Sequence, residues 1–116
     1  MELIFSLTYN TFIFVLVVAP KITEVEKVVV LKTGQQVETT IEFEAYPEPT
    51  AVVTFNGTTP TVPHTATVSD SKCIFKMADV TRQDHSGVFN VKLANPYGED
   101  NVDIQFNING MIHYVY

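Results

Sequence analysis

The chain has no tryptophan and a single cysteine, Cys73. A lone cysteine cannot close an internal disulfide, so any core must hold by packing alone. Secreted domains of this size often carry a bridge, and its absence points toward a reducing compartment. Basic residues are few: seven stand against thirteen acidic ones, for a net charge of −6. Nucleic-acid binding needs clustered Lys and Arg, so this balance argues against a nucleic-acid partner. No apolar run is long enough to cross a bilayer as a helix. The densest, Phe12 to Ala19, falls well short. No Gly-x-Ser-x-Gly, phosphate loop or dinucleotide fingerprint occurs, and helical periodicity is missing.

What remains is alternation. At 116 residues the chain has the length of one domain, and 46% apolar residues are enough for a core. From Gln36 to Tyr46, Val37, Thr39, Ile41, Phe43 and Ala45 fall on one side and Glu38, Thr40, Glu42 and Glu44 on the other. A period of two with carboxylates outside marks a half-buried strand. Cys73, Phe75 and Met77 repeat the pattern, as do Phe89, Val91 and Leu93, and then Val102, Ile104, Phe106 and Ile108. Lys27–Lys32 is a β-branched run, and Thr50–Phe55 is a strand ending in the turn signal Asn56-Gly57. Thr58–Pro63 holds two prolines and cannot be a central strand. About seven or eight short strands at this spacing predict an all-β sandwich of two antiparallel sheets.

The stretch Phe75 to Gly98 carries the most specific pattern. A strand leads to the corner Val80-Thr81-Arg82-Gln83-Asp84-His85-Ser86-Gly87. A second strand then ends in Asn95-Pro96-Tyr97-Gly98. Together with Ala19-Pro20-Lys21-Ile22, Gly34, Pro47-x-Pro49 and Asn56-Gly57, this order resembles an immunoglobulin-like domain of the I-set. The most similar type is the module found in titin- and twitchin-like muscle proteins. The resemblance covers residues 20–108 and implies a Greek-key sandwich. Residues 1–19 are then a hydrophobic N-terminal extension and 109–116 a C-terminal tail. The extension leaves three readings open: a signal peptide without a basic n-region, a fragment-derived segment, or an extra or partner-covered strand.

The resemblance assigns structural roles to Ile41, Val53, Phe75, Asp84, Gly87, Phe89, Val91 and Gly98. Cysteines are usual in the family where Ile41 and Val91 stand, tryptophan where Val53 stands, and the corner tyrosine where Phe89 stands. One extra residue lies between Asp84 and Gly87. The resemblance further implies a non-catalytic module without cofactor or metal. Its partners would be other protein domains, including neighbouring immunoglobulin or fibronectin-type modules. Its setting would be cytoplasmic, in a sarcomeric or cytoskeletal filament. The alternative is an extracellular adhesion or receptor domain, which the sequon Asn56-Gly57-Thr58 would suit.

The remaining chemistry-bearing residues read plainly. His64, His85 and Cys73 lack the short paired spacing of zinc ligands. Cys73 alternates with core positions and is expected to be an inward thiol. His85 lies in a turn and is expected to be solvated. Asp84 is expected to accept backbone N–H bonds or to pair with Arg82. Glu42 and Glu44 are expected to form a solvated stripe.

Overall fold

The computed structural model describes the backbone of residues 2–8 and 11–109 and the side chains of 16–109. The expected tail beyond Asn109 lies outside the described residues. The elements in order are β1 (Glu2–Thr8), β2 (Thr11–Glu24), β3 (Val28–Lys32), β4 (Val37–Tyr46) and β5 (Thr50–Phe55). Then follow β6 (Thr65–Ser69), β7 (Lys72–Met77), the helical turn α1 (Arg82–His85), β8 (Gly87–Asn95) and β9 (Gly98–Asn109).

Two sheets face each other. One has the order β1-β2-β4-β7-β6 and the other β3-β9-β8-β5. This is the immunoglobulin-like sandwich. One pair departs from antiparallel geometry: β3 runs parallel to β9, Val28 opposite Gln105 through Lys32 opposite Asn109. The chain leaves the first sheet after β2 and joins the second without reversing, so β3 and β9 start at the same pole.

The alternation in the sequence places the core. Ile41, Phe75, Phe89, Val91, Leu93, Ile104 and Phe106 are fully buried, and Val37, Phe43, Met77, Val102 and Ile108 nearly so. Three strands bring aromatic rings together between the sheets. The Phe75 ring lies 5.3 Å from Phe89 and 6.0 Å from Phe106, and Phe89 meets Phe106 edge-on at 5.2 Å. Such offset and edge contacts add roughly 0.5–1.5 kcal/mol per pair beyond area burial. Cys73 is fully buried beside them, and burial pushes its thiol pKa up, which keeps it unreactive.

The two outer faces differ. On the first sheet each outward glutamate of β4 has a lysine on a neighbouring strand. Glu38 is opposite Lys76, the half-exposed Glu42 opposite Lys72, and Glu44 opposite Lys21, while the other neighbour of Glu42 is Glu24. The acidic stripe is therefore laced with lysine, although the Glu38–Lys76 pair at 3.9 Å is exposed and adds little stability. The second sheet is mainly polar and uncharged outside. Asn90 Nδ2 donates to Asn101 Oδ1 at 3.0 Å and to Asp103 Oδ1 at 2.9 Å, and Val28, Val30 and Val52 are exposed.

At the N-terminal side β2 is longer than the sequence pattern suggests. Its first part pairs with β1, Glu2 opposite Val17 through Thr8 opposite Thr11. Its second part pairs with β4, and the register shifts between Val18 and Lys21, around Ala19-Pro20. Proline is tolerated there because a bulge does not use its missing N–H. β2 runs unbroken through residues 19 and 20, and Val17 and Val18 are buried.

Ile41 and Val91 are both fully buried, one in each sheet. We expect Ile41→Cys with Val91→Cys to oxidise in air. The loop closed is about fifty residues, for which chain entropy gives ~4 kcal/mol before strain. Ile41 is also the register partner of Cys73, so the test carries Cys73→Ala to remove a competing thiol. A mass shift of one disulfide and a raised denaturation midpoint are the expected results. A pair that stays reduced would mean the two positions do not face each other.

Candidate functional site

The residues picked out by sequence fall into three groups. Ile41, Phe75, Phe89 and Val91 meet in the core, and Val53 on β5 lies opposite Val91, partly buried. Phe89 fills its place among aromatics, with the Phe55 ring at 4.4 Å. Gly87 and Gly98 begin β8 and β9, and Asp84 sits on α1.

Gly87 is required by a close approach. Its φ is +147°, and a Cβ there would lie 2.7 Å from Asn56 Oδ1 and 2.8 Å from Phe55 Cε1. The contact closes the end of β5. Asn56 N donates to Val88 O at 2.8 Å, and Asn56 Oδ1 accepts from Val88 N at 3.0 Å. Asn56 and Gly57 both have positive φ, and Phe55 and Thr58 exchange both backbone bonds, the pattern of a type I′ turn.

The corner differs from expectation at two residues. Asp84 neither receives a backbone bond nor pairs with Arg82. Among the described residues the ion pairs are Glu38–Lys76 and Lys92–Glu99. Residues two apart on a helical turn point to different sides, which explains the missing pair. The cap is Thr81, whose Oγ1 accepts from Asp84 N at 3.1 Å. His85 is buried, not solvated. Its Nδ1 accepts from Thr81 N at 2.9 Å. The turn α1 carries His85 inward against the sandwich. Ser86 then ties the corner to β9, its Oγ accepting from Ile108 N at 3.1 Å. His64 Nδ1 donates to Val62 O of its own loop at 2.9 Å. No group of three His, Cys, Asp or Glu among the described residues could hold a metal ion.

The arrangement that sequence reasoning missed lies where β2 passes the β8–β9 turn. Asn95 Nδ2 donates to Val18 O at 2.8 Å and to Pro47 O at 3.1 Å, while its Oδ1 accepts from Tyr97 N at 3.0 Å. Asp100 Oδ2 accepts from Ile22 N at 2.8 Å. The register shifts in β2 free that N–H from the β4 ladder, and the carboxylate takes it up. A Cβ on Gly98 would lie 3.1 Å from Ala19 Cβ, so the strands pass closely. At the other pole Thr33 N donates to Asn109 O at 3.0 Å, and Val80 bonds to Gly34 and Gln35. The N-terminal strands are thus fastened to the C-terminal strand at both poles. Asn95 and Gly98 were visible as a turn motif, but no pattern in the sequence singled out Asp100.

No family model matches the chain, and no curated protein matches it. Solved structures do. A chimeric titin Z1Z2 carrying a decorin peptide superposes with a TM-score of 0.74 at 19% identity, covering 84% of this chain and 100% of that one. Titin M4 gives 0.71 at 18% identity, covering 82% and 100%. The titin M10 complex with an obscurin-like 1 immunoglobulin domain gives 0.72 at 14% identity, covering 82% and 98%. At these identities the likeness establishes the fold, an immunoglobulin-like sandwich of the titin type.

Asp100→Ala should destabilise the domain by about 1.5–3 kcal/mol, the range for a hydrogen bond to a charged group. Asp100→Asn keeps an acceptor and should lose less than half of that. Asp103→Ala, at an exposed position of the same strand, should stay within about 0.5 kcal/mol. Urea denaturation of the three variants distinguishes them. Equal effects at 100 and 103 would remove Asp100 from the fastening of β2.

Proposed function

We propose that the chain is a non-catalytic module of a sarcomeric or cytoskeletal filament protein, an I-set immunoglobulin domain spanning about residues 16–109. It spaces its neighbours, docks to other protein domains and bears tension between its ends. The observation that carries this reading is the direct bonding of the first strands to the last. β3 lies parallel to β9 over five register pairs, and Asp100 holds Ile22. β2 comes in at the pole where β9 begins, and β9 leaves at the opposite pole after twelve residues. Tension on the two ends therefore slides β3 against β9 along their length, and the hydrogen bonds between them share the load.

The I-set assignment rests on the chain switching sheets between β2 and β3, and on the lack of a strand between β5 and β6 among the described residues. Muscle context rests on the titin-type neighbours. Partner docking is suggested by the neighbour solved with an obscurin-like domain. The sequon is better used as a turn: Nδ2 of Asn56 would lie 2.9 Å from a Cβ at Gly87, so this amide packs on β8 and a glycan there would have to break the packing. No helix among the described residues is long and apolar enough to cross a membrane.

The test is force spectroscopy of the domain placed between reference modules. Lys27 O accepts from Gln105 N, and Thr33 N donates to Asn109 O, so the odd-numbered residues of β3 face β9. Val29→Pro removes a donor from the loaded ladder. It should lower the peak force and raise the unfolding rate up to about tenfold, as expected for a lost bond of about 1 kcal/mol plus local strain. Val30→Pro removes an N–H that points away from β9 and should leave the force near wild type. Equal effects of both, or none from either, would contradict the load-bearing role.

A further inference from the structure

The side of β3 away from β9 is an open strand edge. Because odd-numbered residues bond to β9, the N–H and C=O groups of Val28 and Val30 point outward, with no strand beyond them among the described residues. Lys32, the next even residue, is already satisfied: its N–H donates to Gln35 Oε1 at 2.7 Å, and its C=O accepts from Gln35 N at 3.1 Å. Val28 and Val30 are also the most exposed β-branched apolar side chains among the described residues, at 53% and 61%. An open edge bearing exposed valines is a ready template for another strand.

We infer that this edge pairs with the same edge of a second copy, antiparallel, about a two-fold axis through Val29. Three features of β3 select a copy of itself. In that register Val28 of one copy meets Val30 of the other, so each exchanges both free backbone bonds and buries an exposed valine against a valine. The register is one that keeps outward residues opposite outward residues, as a continuous sheet requires. It also brings Glu26, just before β3, next to Lys32 at the end of the other copy, while Lys27 falls opposite the uncharged Leu31. Opposite charges then meet at both ends of the paired strands. The bonds of β3 to β9 are untouched, so the pairing stands apart from the load-bearing reading.

A single strand pair is smaller than a stable interface of about 1,200–2,000 Å², so the association is weak and belongs to modules held at high local concentration. The test is disulfide trapping at roughly millimolar protein, the effective concentration of tethered modules. Cys73 is buried and does not interfere. Val28→Cys mixed with Val30→Cys should give the cross-linked dimer, and each alone should cross-link at least tenfold more slowly. Glu26→Lys or Lys32→Glu, introduced into both partners, should lower the yield at least fivefold. Glu26→Lys with Lys32→Glu together should restore it. Equal rates for the single variants and the mixture would show random collision and overturn the register. A mixture that stays uncross-linked, or a double charge reversal that fails to rescue, would overturn the pairing. Circular dichroism of every variant confirms that each is folded when tested.

Discussion

The sandwich depends on one contact between its sheets. Phe75 comes from the first sheet and Phe89 and Phe106 from the second, and all three are fully buried within about a ring's width of one another. The chain has no disulfide to join the sheets and no tryptophan to fill the space between them. Apolar contact replaces both. Truncating a buried phenylalanine typically costs 3–5 kcal/mol, a large part of the stability of a small domain. Ile41, Val91 and Leu93 surround the rings, and the partly buried Phe55 extends the cluster toward the end of β5.

Much of this was legible in the sequence, because a half-buried strand writes its own pattern. β4, β7, β8 and β9 alternate strictly, and every residue assigned inward on those four strands is buried except Ala45, which is partly so. The turn at Asn56-Gly57 was equally plain, since positive φ at both residues leaves few alternatives. What the sequence hid was contact at a distance. Ile22 and Asp100 are 78 residues apart, and nothing local distinguishes Asp100 from an ordinary outer carboxylate. The corner misled for a different reason. Thr81, Asp84 and His85 are all competent to cap or to face water, and only the packing of the corner on the sandwich decides which does so. The length of β2 escaped because its two parts pair with different strands and a proline interrupts the part that pairs with β4.

The same architecture separates the tasks of the surface. Glutamates alternating with lysines cover the outside of one sheet and keep that face charged and solvated. The other sheet shows valine, threonine and asparagine with few charges, and it carries the β3–β9 pair. The proposed load path and the proposed edge pairing therefore both fall on one sheet, and neither uses the core that couples the two sheets.

That coupling can be measured directly by native-state hydrogen exchange, followed amide by amide in low denaturant. If the phenylalanine cluster unites the sheets, the slowest amides of β4 and β7 and those of β8 and β9 should exchange with one common opening free energy, equal to the global value. Two distinct opening free energies, one for each sheet, would contradict the account: the sheets would then open separately, and the rings between them would not be what holds the domain together.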